Sequence, residues 1–125
     1  MCIRDSYDAD ISVAPYILDE FAYFFETPYD TTDSTFPECS IDRPPGASAN
    51  GRMYIVNHFL DENILGIDIP DDGADATTNS ATGTGSIEAQ AGICAGLYGR
   101  QPNVVLVDMF DRGNVFQAQK DLNGL

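Results

Sequence analysis

Positive charge is scarce in this sequence. Six Lys and Arg stand against twenty Asp and Glu, a formal charge of −14 over 125 residues. A field of that sign repels nucleic acid and the anionic face of a membrane. Nucleic acid is therefore excluded as a partner, and a phosphate-bearing ligand has to be met locally by the few bases, Arg4, Arg43, Arg52, Arg100, Arg112 and Lys120. Histidine occurs once, at His58, and the three cysteines, Cys2, Cys39 and Cys94, form no Cys-x-x-Cys pair. A zinc centre is accordingly not expected, and no other metal or cofactor is implied. No stretch approaches the ~20 apolar residues of a membrane span. A basic, then apolar, secretory leader is also missing. That says little, because the first six residues, Met-Cys-Ile-Arg-Asp-Ser, resemble translated sequencing-adapter sequence. Residues 1–6 are expected to be foreign, with the natural start and any signal peptide upstream of residues 7–125.

What the chain does have is enough apolar content, 43%, for one globular core. The run Asn103–Phe110, Asn-Val-Val-Leu-Val-Asp-Met-Phe, predicts a strand covered on both faces, as parallel strands under helices are. Asp108 falls at or near its carboxyl end, where parallel sheets place chemistry. Met53–Leu60 predicts a second strand; its Asn57 and His58 must point to opposite faces. Ala22–Glu26 predicts a third, stopped by Thr27-Pro28, after a helical turn opened by Pro15 and running to Glu20. Residues 30–52 and 61–85 read as long loops. Ser86 is a good N-cap for a helix with Ile87, Ala91, Cys94 and Leu97 on one face, ended by Gly99 and Pro102. Asn114 and Gln117 have capping-box spacing at the start of a last helix that buries Val115, Ala118 and Leu122. The order from Met53 gives two parallel strands joined by a right-handed crossover. Two or three such strands cannot close a barrel, so the chain reads as the second half of a larger domain.

Several side chains are candidates for chemistry. Asp108 is the carboxylate expected to act in catalysis, and Glu26 also ends a strand. If the two share a cleft, a glycosidase-type barrel is a possible alternative. His58 or Asn57 can contact substrate at the strand ends, and Arg112 can reach a phosphate at the same mouth. Thr82-Gly-Thr-Gly-Ser86 leads into a helix N-terminus but lacks the Lys of a nucleotide loop. Asp68, Asp71, Asp72 and Asp75 miss the EF-hand spacing and read as a solvated acidic loop. Cys39, in a Pro-rich loop, and Cys94, on a helix, are expected to form a disulfide, the alternative being two unrelated thiols. Few lysines with abundant Ser, Thr and Asp point to an exported, extracellular protein, where a disulfide is allowed.

Four segments carry a family resemblance: Leu18-Asp-Glu-Phe-Ala-Tyr-Phe-Phe-Glu-Thr-Pro28, Tyr54-Ile-Val-Asn-His-Phe-Leu60, Ala76-Thr-Thr-Asn-Ser-Ala-Thr-Gly-Thr-Gly-Ser86 and Pro102-Asn-Val-Val-Leu-Val-Asp108. In this order they resemble the C-terminal half of the fungal phospholipase C-like phosphodiesterases, within the superfamily of phosphatidylinositol-specific phospholipases C. The resemblance covers residues 7–125. It implies an α/β fold, a partial TIM barrel, cleaving a phosphodiester or phospholipid-type small substrate by a pair of histidines. Both histidines belong to strands upstream of this sequence. Asp108 matches the carboxylate that orients the base histidine, and Glu26 can meet hydroxyls of an inositol-type head group. The missing N-terminal half of the barrel is then a required partner, and the chain alone is expected to be inactive. The rival reading is a barrel without catalysis that serves as a secreted binding or wall-associated protein.

Overall fold

The computed structural model describes residues 10 and 12–125. The expected foreign hexapeptide, with Cys2 and Arg4, lies outside the described residues. The first element, α1 (Glu20–Tyr23), is a single helical turn. It starts later than Pro15 because the Asp19 carboxylate caps it, accepting from the Phe21 amide at 3.1 Å. Strand β1 (Phe24–Glu26) follows at once and ends at Thr27-Pro28 as expected.

Strand β2 (Met53–Asn57) pairs with β1 in parallel, with Phe25 opposite Tyr54. Strand β5 (Val104–Leu106) pairs with the other side of β2, also in parallel, with Val56 opposite Val105. The order β1-β2-β5 makes β2 the central strand, and its Tyr54 and Val56 are fully buried. The two strands expected to be parallel neighbours are so. Between them run a hairpin, β3 (Asp61–Ile64) and β4 (Ile67–Pro70), a helical turn α2 (Asp75–Thr78) and the long helix α3 (Ile87–Tyr98). Helix α4 (Val115–Leu122) closes the chain. The architecture is mixed α/β: a three-stranded parallel sheet with a separate antiparallel pair.

Helix α3 covers the sheet face that carries Phe25, Tyr54, Val56 and Val105. Ser86 caps it as expected, its hydroxyl accepting from the Ala89 amide at 3.2 Å, and Gly99 ends it at φ 69°. Leu97 does not join the buried stripe and is exposed. Tyr98, one residue on, takes the core side of the last turn and sets its ring edge-on to Phe25 at 4.9 Å. Gln90 is buried on the same helix face.

The 27–52 connection carries no named element, yet it is fixed at several points. Cys39 is disulfide-bonded to Cys94 of α3, Cα to Cα 5.2 Å. The Glu26 and Arg43 main chains form an isolated antiparallel bridge, and the buried Phe36 ring packs 4.2 Å from His58. Such tethering lets a segment this long hold one conformation.

Three expectations change. Residues 61–85 are not all loop. The Ile67-Asp-Ile69 alternation pairs back on Asp61–Ile64 through a Leu65-Gly66 turn with both φ positive, which sequence reading misses because Asn-Gly is the usual signal. Strand β5 is not covered on both faces. Val104 and Leu106 are exposed: they point to the face opposite Val105 and α3, and β5 is an edge strand of the sheet among the described residues. Its open side borders a groove of about 420 Å³ against α4. Asn114 makes no capping bond. The Asn79 carbonyl already takes the Asn114 amide at 2.8 Å, and Gln117 instead donates to Asp121. The α4 stripe is as expected, with Ala118 buried and Val115 and Leu122 packed beside it.

Candidate functional site

Side chains alternate along β2, and Asn57 and His58 part company as the pleat requires. Asn57 is buried on the helix-free side, its amide donating to the Thr27 carbonyl at 2.8 Å and to Glu26 Oε2 at 3.4 Å. Glu26 is ion-paired with Arg43, whose guanidinium lies 4.2 Å from the centre of the Tyr29 ring. A carboxylate, an amide and a guanidinium thus form one network at the ends of β1 and β2.

His58 goes the other way and is fully buried. Its Nε2 lies 2.8 Å from the Thr78 carbonyl and its Nδ1 2.6 Å from Gln90 Oε1. The Gln90 amide in turn reaches the Asn57 and Glu38 carbonyls, which is why a glutamine is buried on α3. Burial pushes the His58 pKa down, opposed by the bonds to Thr78 and Gln90. The ring therefore ties β2, α2 and α3 together, and both its nitrogens are engaged with protein atoms.

Asp108 lies two residues beyond β5, half-buried. Its carbonyl accepts from the Asn79 amide at 2.6 Å, fixing the backbone just past the strand. The negative charge of Asp108 raises the pKa of two neighbours, Asp61 and Asp75. For Asp61 burial is the larger cause, followed by Asp30, Asp68 and Asp108. For Asp75 burial again leads, with Arg112 opposing it and Asp72 and Asp108 adding to it. Arg112 is thus set near Asp108 but is spoken for: its Nη1 donates to Asp75 Oδ2 at 3.1 Å and to the Asp72 carbonyl at 2.6 Å.

Asp61 opens β3 directly after the end of β2. It is 9% exposed, and among the described residues no hydrogen bond reaches its carboxylate. It lines a cleft of about 800 Å³ with Asn63, Asp71 and the hydroxyl-bearing Thr32, Ser34, Thr35 and Thr84. Such a lining both donates and accepts hydrogen bonds, and it carries no cationic side chain. No cluster of three or more His, Cys, Asp or Glu able to hold a metal occurs among the described residues.

The structure therefore gathers Asp108, Asp61, Asp75 and Arg112 on one side, and Glu26, Asn57 and Arg43 on another. Glu26 ends β1 and Asp108 follows β5, the two outer strands, whose axes are roughly 10 Å apart across β2. Glu26 is occupied by Arg43. Asp61, Gln90 and Asn79 were not legible as site residues. Only Asp61 carried a signal, an acid placed just after a strand that ends in Asn-His.

These features define an α/β protein whose polar groups converge where parallel strands end. The PI-PLC X 1 family matches residues 1–123, and the chain belongs to the PI-PLC X domain family. PI-PLC X domain-containing protein 1 of Arthroderma benhamiae is 50% identical over 117 residues, covering 94% of this chain and 38% of that protein. An uncharacterized secreted protein of the same organism is 43% identical over 130 residues, covering 95% of this chain and 29% of that protein. The chain thus spans well under half the length of either relative. No solved structure matches it.

Proposed function

We infer that the chain is the C-terminal part of a phospholipase C-like phosphodiesterase, a partial TIM barrel, in which Asp108 orients a base histidine supplied by the rest of the barrel. The observation that carries this is the place of Asp108, just past the carboxyl end of a parallel strand and held there by Asn79. Family membership supports the reaction class. The open edge of β5 and its exposed Val104 and Leu106 support further strands completing the sheet. A carboxylate at that position fixes the tautomer of a partner imidazole and stabilises its cationic form, so the imidazole can take a proton from the attacking hydroxyl. The chain has one histidine and that one is enclosed, so by itself it is expected to be inactive.

Glu26 and Asn57, on the helix-free side, are the residues proposed to meet a hydroxyl-bearing head group. His58 and Arg112 are proposed to act indirectly, His58 by holding the end of β2 and Arg112 by neutralising Asp75. The disulfide and the name of one relative support an extracellular location.

The test uses a polypeptide extended to the length of the relatives. Asp108→Asn is expected to lower kcat for diester cleavage by about 10³-fold or more, leaving KM and the thermal midpoint unchanged. It should also lower the apparent pKa of the base in the kcat/KM profile. Unchanged turnover would sink the assignment.

A further inference from the structure

The cleft at the base of the β3–β4 hairpin holds a charge that the fold itself does not use. Asp61 is more than nine-tenths buried, and among the described residues neither a hydrogen bond nor an ion pair reaches its carboxylate. A carboxylate buried without a partner costs stability. Burial is the chief cause of its raised pKa, and Asp30, Asp68 and Asp108 push the same way. Its oxygens are nevertheless open to the cleft, since the sealed polar side-chain atoms without a partner among the described residues are Arg43 Nε and Glu88 Oε1. The cleft, of about 800 Å³, has the size of a small-molecule site. A destabilising acid kept at the wall of such a space marks a functional position, where a ligand supplies the missing partner.

The surroundings of Asp61 are fixed in advance. Its amide donates to the Thr31 carbonyl at 2.8 Å, and the Asp71 amide donates to the Leu60 carbonyl at 2.8 Å, so both ends of the hairpin are tied down beside the cleft. Gly85 packs so closely on the Ser34 carbonyl that no side chain fits between them, which holds a second wall in place. The hydroxyls of Thr32, Ser34, Thr77 and Thr84 line the space and make no hydrogen bond of their own among the described residues. Each can accept as well as donate.

We propose that this cleft binds the primary ammonium group of a small molecule, with Asp61 as its counter-ion and the serine and threonine hydroxyls accepting its remaining N–H groups. Charge selects the ligand first. No Lys or Arg lines the cleft, so an anion is repelled by Asp61 and by the acids around it. Donor count selects it next. A primary ammonium has three N–H donors and no acceptor, and its bond to a carboxylate is charge-assisted. A divalent cation of the calcium type takes six to eight oxygen ligands with several carboxylates among them. Here Asp71 already accepts from the Gly73 amide at 3.1 Å, and the described residues hold no cluster of three or more acids, His or Cys suited to a metal. One unpartnered carboxylate amid hydroxyls fits a monocation. The proposal does not depend on the phosphodiesterase reading.

The test takes the polypeptide extended to the length of the relatives and titrates it with ethanolamine, choline, ethylene glycol and calcium chloride, reading the thermal midpoint and the heat of binding. Ethanolamine should raise the midpoint in a concentration-dependent way. Choline, equal in charge but without N–H donors, should bind about tenfold more weakly, and ethylene glycol should not bind. Without ligand Asp61→Asn should melt above the parent, yet its affinity for ethanolamine should be about tenfold lower or less than that. That crossing of stability and binding is what a purely structural acid would not show. Equal affinity for ethanolamine and choline, tighter binding of calcium than of ethanolamine, or undiminished binding by Asp61→Asn would overturn the proposal. So would the absence of any response to ethanolamine, the result to be seen where a base from the rest of the barrel pairs with Asp61. Diester cleavage enters none of these readouts, so failure of the catalytic reading leaves the ammonium site standing.

Discussion

Removing the Cys39–Cys94 bond perturbs the whole of the second half of the chain. The bond closes a loop with a sequence separation of 55 residues, which contains β2, the hairpin, α2 and most of α3. Releasing a loop of that size in the unfolded chain costs the folded state about 4 kcal/mol by the chain-entropy relation. Some tethering survives the loss, because Gln90 still reaches the Glu38 carbonyl and the Tyr98 hydroxyl still donates to the Cys39 carbonyl. Those contacts belong to the folded state of both forms and leave the difference unchanged. The variant is Cys39→Ala with Cys94→Ala, measured by urea unfolding under oxidising conditions against the parent chain. With a slope of about 1.5–2 kcal/mol per molar, the midpoint should fall by about 2–3 M. The slope should rise, since the unfolded chain is then free to expand, while far-ultraviolet circular dichroism of the folded protein stays the same. A midpoint lowered by less than about 0.5 M with an unchanged slope would refute the loop-entropy account.

Three further outcomes follow from burial and close packing. Gly85 has φ 70°, and a Cβ built on it would stand 1.9 Å from the Ser34 carbonyl oxygen. Gly85→Ala should therefore cost about 3 kcal/mol or more, whereas Gly83→Ala, at φ 111° with open space around it, should cost only about 1 kcal/mol; equal midpoints for the two variants would contradict the placement of the 32–35 segment. Burial holds the His58 pKa below the ordinary histidine value of 6.5, so below that pH the unfolded chain binds the proton first. Stability should be level above that value and decline as the pH falls through it, with a flatter profile for His58→Phe in urea midpoints. Asp61 has the opposite sign: its raised pKa makes its favourable contribution complete only below 3.8 and lost as pH rises through the folded value, so Asp61→Asn should raise the midpoint at pH 7.

Periodicity made much of the frame legible. Apolar runs marked β2 and β5, Ser86 and Gly99 marked the ends of α3, and the order of segments implied parallel neighbours, because these signals are local and each is set by a few adjacent residues. Asp108 was legible as a strand-end acid for the same reason. The hairpin was not, since a Leu-Gly turn carries no local signal and Ile67 and Ile69 gain nothing from burial. Nor was the burial of His58, which depends on Gln90 and Thr78, 32 and 20 residues away.

The sequence by itself determined the strands β2 and β5, the helices α3 and α4, the parallel direction of the sheet and the strongly acidic charge. Tertiary structure decided between a Cys39–Cys94 bond and two free thiols, and it alone decided that Glu26 is taken by Arg43, that Arg112 serves Asp75, and that Asp61 faces a cleft without a cationic side chain. Composition and spacing act along the chain, whereas pairing of charges and thiols depends on which distant segments the core brings within a few ångströms.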